Sequence, residues 1–557
     1  MSAALKSLKP DDLTNFFESF VENFPGIYKI FIEILEEKDF EDNLCLGVAA
    51  VVNELCCMAG SSKYGMAYRA ASNGKNLNGR DPGLQNYYRK MLNVIFNPTS
   101  GIDSATPPPG YILFKILSKK LENISETKQI NSKLKAYKCY SSALKVLSLV
   151  SEYSANQIID TSGNLLSVIF SDLITIDKKI QLHVLSSKSP DPTGSILSYK
   201  ETVLTMFHLL RNIFISDRTN TIKNLSRLDR KFLSILTNIY TWCKKDLHLK
   251  LNFILLLQAY TENFPEGCDE LAKTQNKKEI LSEKNNVDFN TNIFTNTISN
   301  NNEYSLLKIL MDHLTETLHL VTVKVSTNED ILKNLYRLMT NMAAVSPSCR
   351  SMFWKHGFVE KLLLAGDDDR LTATKKSKLQ RYSFKLWVNF LTALSYDSFS
   401  KDQMSGKILG QVNILEKLVD YYNSEDISLE NSMLLIRNFS FDNKMKPKIA
   451  QNEKIIRILL VELENEDNYL VNLLAAEAIW AISNHTQRAR AILKQKMVYD
   501  NLSILLSKRE KEVDKYKEEL GGNGLDNSQD SRNEVFKRYP YFDRLSMALK
   551  AGIELLS

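Results

Sequence analysis

The histidines and cysteines have the most chemistry to offer, and their spacing offers little. His183, His208, His248, His313, His319, His356 and His485 stand at no metal-ligand spacing with a cysteine or carboxylate. His313 and His319 are six apart and fall on different faces of a helix, so no metal site is expected. Cys45, Cys56, Cys57, Cys139, Cys243, Cys268 and Cys349 form no Cys-x-x-Cys pair and are odd in number. That is the pattern of reduced, buried thiols rather than a disulfide framework, with Cys56 and Cys57 placed in an apolar run as core. The glycine-rich stretch at Gly521, Gly522 and Gly524 follows no strand and lacks a Lys-Ser/Thr continuation, so it is not read as a phosphate loop. Asp367, Asp368 and Asp369 read as a solvated acidic loop. Gly-x-Ser-x-Gly, His-Glu-x-x-His and kinase signatures are absent. The expectation is a non-enzymatic chain with no cofactor and no small-molecule substrate.

What does recur is an amide. Three blocks of similar residues carry it: Leu338 to Ala343 with Asn341, Leu386 to Leu391 with Asn389, and Leu435 to Ser440 with Asn438. The asparagines stand 48 and 49 residues apart, and a fourth block around Trp480 follows with Ala481 in the asparagine's place. Leu209 to Phe214, with Asn212, echoes the pattern in the N-terminal half, and Asn53 echoes it weakly. A side-chain amide offers one donor group and one acceptor, the two things an extended peptide backbone needs. The competing reading is that each asparagine bonds its own neighbouring helix ends. Trp387 and Trp480 lie near the same surface, as does Arg437, which could grip a carboxylate or pair locally.

These blocks must be positioned by helices. Apolar residues recur at helical spacing, strand-like alternation is scarce, and 20 glycines and 13 prolines cluster in a few breaks. Repeats of about 40–47 residues belong to armadillo and HEAT units, whose helices bury their apolar faces only by stacking. The expected fold is therefore all-α, a right-handed α-solenoid of armadillo/HEAT-like repeats. Its expected divisions are degenerate helical repeats over 1–263, an Asn-rich mobile insertion over 264–304, armadillo repeats over 305–507, a polar loop over 508–540 and a terminal helix over 541–557. The helix from Ile455 to Leu463 is apolar almost all round and is expected to be buried between neighbours. With 71 Lys+Arg against 65 Asp+Glu, the formal charge is +6 with mixed signs and no long basic block. Neither nucleic acid nor a membrane surface is the expected partner. Neither a membrane span nor a secretory signal is expected, which suggests a soluble, cytoplasmic or cytoskeletal protein.

The segment from Asn431 to Ser507 reads as two consecutive armadillo repeats. Its wording, RNFSFDNKMKPKI followed by AAEAIWAISNHTQRARAIL, resembles the C-terminal end of rotatin-family proteins, as does the closing YFDRLSMALKAGIELLS. Rotatins are armadillo-like proteins of centrioles and basal bodies. The resemblance implies a scaffold in centriole assembly and cilium formation, with other proteins as partners. In armadillo proteins an asparagine at this place faces the concave groove, which implies partner-binding roles for Asn341, Asn389 and Asn438. The Trp480–Asn484 pair is similar to the Trp-x-x-x-Asn pairs of importin-alpha. That similarity makes a soluble cargo or signalling adaptor the alternative, although Leu391 stands where a second pair would need Asn.

Overall fold

The computed structural model describes residues 165–185, 195–216, 232–273, 275–276, 303–321, 326–364, 388–404, 429–464, 468–496, 498–521 and 544–557, with shorter pieces between 30 and 138, at 221–222, and between 386 and 422. The chain divides into two compact units, Met1–Tyr260 and Thr261–Ser557. Trp387, Cys56, Cys57, Gly522, Gly524, Asp367, Asp368, Asp369 and most of the Asn-rich segment lie outside the described residues.

The first unit contains α1 (Leu165–Leu185), α2 (Ser195–Ser216), α3 (Phe232–Cys243) and α4, which begins at Leu247 and ends at Thr261. Aromatic residues at helical spacing build its core. Phe170 meets Phe232 edge-on at 5.1 Å, Phe207 meets Phe253 at 5.7 Å, and Phe214 meets Tyr260 at 5.5 Å. Edge-to-face contacts set the positive ring edge against a negative face, which fixes orientation as well as burying area. The polar groups drawn inward are paired. The Lys133 ammonium lies 2.8 Å from Asp172, whose other oxygen accepts from the Tyr137 hydroxyl, and the Trp242 indole N–H donates to Asp177. No helix among the described residues is long and apolar enough to cross a membrane.

The second unit opens with α5 (Pro265–Ala272), then a two-residue antiparallel ladder of β1 (Gln275–Asn276) and β2 (Glu303–Tyr304). Gln275 pairs with Tyr304 and Asn276 with Glu303, so the two ends of the Asn-rich segment are joined. Then follow α6 (Leu306–Val321), α7 (Ser326–Val345), α8 (Pro347–Lys355), α9 (Phe358–Leu364), a helical stretch 388–394, and α10 (Ser398–Gln403). The run finishes with α11 (Leu429–Ser440), α12 (Lys446–Gln451), α13 (Glu453–Glu464), α14 (Tyr469–Ser483), α15 (Gln487–Gln495), α16 (Val498–Gly521) and a last helix over 544–556. The pattern of a short helix followed by two longer ones repeats, as in armadillo units. Local sequence sets the breaks. Ser346 accepts the N–H of Cys349 and precedes Pro347 at the first turn, Asp397 accepts the N–H of Ser400, and Asn468 accepts that of Val471. These are the residues that satisfy the orphan donors of a helix start.

Within the second unit, packing joins each repeat to the next. α14 lies against both α11 and α13, and α12 lies against α15. Phe353, Phe358 and Phe390 form one aromatic knot, with centroids 5.2 to 5.9 Å apart. Arg350 pairs with Asp397 and donates to the carbonyl of Ala343, tying three segments together. The fold is thus an all-α stack of armadillo/HEAT-like repeats.

Three expectations change. The helix surrounded by neighbours is α14, where Val471 to Ala476, Ala478, Ile479 and Ala481 to Ser483 are buried. By contrast, α13 leaves Val461 52% exposed. An outer helix of a two-layer stack meets water on one side, however apolar its residues. The Asn-rich insertion begins later than 264, because α5 is a packed helix. Pro265 starts it, and Cys268 and Leu271 fall on one buried face. The polar loop expected over 508–540 also begins later, because α16 continues to Gly521. Its Lys and Glu residues are strong helix formers, and Glu510 pairs with Lys550 of the last helix at 2.9 Å.

Candidate functional site

The surface of interest lies where α11, α14 and the last helix come together. Arg437, near the end of α11, extends its guanidinium in three directions. Its Nε donates to Glu477 of α14 at 2.9 Å, one Nη donates to the Asn438 amide oxygen at 3.1 Å, and its carbon lies 4.7 Å from the centre of the Phe441 ring. Glu477 accepts a second guanidinium, that of Arg544, at 2.8 Å. Phe441 meets Trp480 edge-on at 6.0 Å, and the Lys401 ammonium lies 5.9 Å from the Phe441 ring centre. Residues from three successive repeats therefore form one exposed cluster.

Asn438 does not face solvent. It is 3% exposed, and its amide nitrogen donates to Ser395 Oγ at 2.9 Å, which in turn donates to the Thr392 carbonyl. It clamps one repeat to the next. Asn389 is exposed and Asn341 is half-buried. The three do not occupy one register position. The turn Ser395-Tyr396-Asp397 matches Ser440-Phe441-Asp442, which places Ala393, and not Asn389, opposite Asn438. Trp480 is half-buried on the exposed cluster. Asn484 is half-buried at the C-terminus of α14, and its carbonyl accepts from the Lys446 ammonium at 2.8 Å. Burial lowers the pKa of that ammonium, and Asp442 opposes the shift.

The sequence reading missed Phe441, Lys401, Glu477 and Arg544. The Ser-aromatic-Asp turn was a usable signal: Tyr396 and Phe441 are its two aromatics, 56% and 37% exposed. Glu477 stands one repeat beyond Arg437, a pairing that only stacking reveals. Among the described residues, no group of three or more His, Cys, Asp or Glu side chains could hold a metal ion. Cys243, Cys268 and Cys349 are buried free thiols. Burial pushes the Cys349 thiol up to about 12, and it pushes the other two higher still.

Stacked short-long-long helical units with a repeat-spanning polar and aromatic surface define an armadillo/HEAT-like solenoid. Within that class the chain is similar in sequence to rotatins. It is 25% identical to rotatin of Mus musculus over 296 residues, which is 53% of this chain and 12% of that protein. It is 25% identical to rotatin of Homo sapiens over 299 residues, 54% of this chain and again 12% of that protein. The match thus spans about an eighth of the curated relatives' length. No family model matches the chain. Among solved structures, an engineered protein aligns over 95% of this chain and 98% of its own, with 14% identity and a TM-score of 0.47. Kap121p aligns over 98% of this chain and 54% of its own, with 12% identity and a TM-score of 0.33.

Proposed function

We propose that this chain is a non-enzymatic scaffold that docks partner polypeptides along the stacked third helices, at the centriole or ciliary basal body. The carrying observation is the cluster of Arg437, Phe441, Glu477, Trp480 and Arg544, which spans successive repeats and stays partly open to solvent. Stacking leaves a long surface whose side chains are held in place from below, so a partner is met without reordering the site. Asn341, Asn389, Arg437, Trp480 and Asn484 are the proposed contacts, and Asn438 is the clamp beneath them. Likeness to the rotatins supports the cellular placement.

A tagged full chain expressed in ciliated cells is expected to concentrate at centrioles, and a uniformly diffuse signal refutes that placement. Asn389→Arg and Trp480→Ala together are expected to reduce partner capture, while Val461→Arg on the outer face of α13 is not. Capture that survives the double substitution refutes the docking face.

A further inference from the structure

We propose that the face around Phe441 recognises an acidic peptide segment. The inference rests on the scaffold reading of this same face and names its ligand chemistry. Two cations, Lys401 and Arg437, lie over the Phe441 ring, and a third, Arg544, shares Glu477 with Arg437. One carboxylate, Glu477, serves two of the three. It is sunk to 14% side-chain exposure, while Arg544 stands 62% exposed. Lys444, also exposed, has its own carboxylate in Asp402 at 3.5 Å. What meets solvent is a mainly positive rim around an apolar ring: Glu477 lies beneath, and half-buried Asp442, next to Phe441, accepts the Lys444 N–H and faces Lys446.

A carboxylate arriving from outside finds planar guanidinium donors already oriented by Glu477 and Asn438, the geometry for which arginine is suited. An aromatic or aliphatic side chain of the ligand covers Phe441, a residue 37% exposed. Packed helices lie about 8–10 Å apart, and an extended chain advances about 3.3 Å per residue. An acidic residue at about every third position would thus address successive repeats. Nucleic acid fits less well, because a tight phosphate-tracking surface engages on the order of six to ten phosphates.

The test is fluorescence polarisation of the full chain with a labelled extended peptide bearing Asp or Glu at every third position around one Phe. A lysine counterpart and a labelled uridine oligonucleotide complete the set. The acidic peptide is expected to bind at least about tenfold tighter than either. Arg544→Glu and Lys401→Glu, both at exposed or half-exposed positions, are each expected to weaken it about tenfold at unchanged circular dichroism. Phe441→Ala is expected to weaken it too, and Val461→Glu to leave it intact. Equal or tighter binding of the lysine peptide or the oligonucleotide overturns the inference. So does failure of the acidic peptide to bind, or indifference of its binding to both charge reversals. None of these outcomes touches the scaffold reading, which falls only if captured partners ignore Asn389→Arg with Trp480→Ala.

Discussion

Asn438 and Asn389 sit in sequence blocks that look alike, and the structure gives them opposite duties. Asn438→Ala removes the donor to Ser395 Oγ at 2.9 Å and the acceptor facing Arg437 at 3.1 Å. The residue is 3% exposed, so water does not replace its bond to the buried Ser395. A net intramolecular hydrogen bond contributes about 0.5–1.5 kcal/mol. The Arg437 bond is counted at the low end, because that side chain is 27% exposed and solvent screens it. Ser395 keeps its bond to the Thr392 carbonyl, so its hydroxyl is not left an unsatisfied donor, and the part-exposed Arg437 Nη turns to solvent. The expected loss is about 2 kcal/mol, or roughly 30-fold in a local opening equilibrium. Asn389 is exposed, and alanine is the better helix former, so Asn389→Ala should shift stability by less than about 0.5 kcal/mol. Hydrogen exchange followed by mass spectrometry on the full chain reads both locally, which matters because a two-unit chain has no single unfolding free energy. Peptides covering 391–404 and 429–440 should exchange up to about 30-fold faster in Asn438→Ala only. Indistinguishable exchange in the two variants would show that Asn438 is not a clamp.

Other outcomes follow from the same packing. Phe353→Ala, at the centre of the Phe353–Phe358–Phe390 knot, should destabilise the second unit by about 3–5 kcal/mol, seen as a lowered urea midpoint. At Gly552, an added Cβ would meet Leu502 Cδ1 at 3.5 Å, an ordinary contact. Gly552→Ala should therefore stabilise the last helix by about 0.5–1 kcal/mol, while Gly552→Leu overpacks it and costs about 1–3 kcal/mol. Thermal melts distinguish the two. Because burial raises the folded-state pKa of Cys349 to about 12, its contribution is fully present below the unfolded thiol's pKa of about 8.5 and is lost as pH rises toward the folded value. Stability should fall above about pH 8.5, by at most about 1.4 kcal/mol per pH unit for this thiol, and Cys349→Ser should reduce the slope by that share while Cys268, also raised by burial, keeps its own.

Much of the architecture was legible in the residues. Pro347 after Ser346, Asp397 before Ser398 and Asn468 before Tyr469 mark helix starts by local hydrogen bonding alone. Apolar residues at helical spacing pointed to stacked helices, whereas the Leu-x-x-Asn frame was offset, and the Ser-aromatic-Asp turns at 395–397 and 440–442 mark the shared register. The extent of α16 was less legible, because its Lys- and Glu-rich residues suit a solvated helix and a polar loop equally well.

The candidate face shows where local information ends. Arg437 and Trp480 were recognisable as residues able to grip a partner, but their companions Glu477 and Arg544 lie 40 and 107 residues beyond Arg437. Whether an asparagine at the end of a third helix points outward or clasps Ser395 depends on helix rotation and on the register of the neighbouring turn. Periodicity determines that helices stack, because an apolar stripe must be buried wherever it occurs. Only the stacked structure decides which polar groups meet one another, since partners a repeat apart are brought together by packing and not by chain proximity.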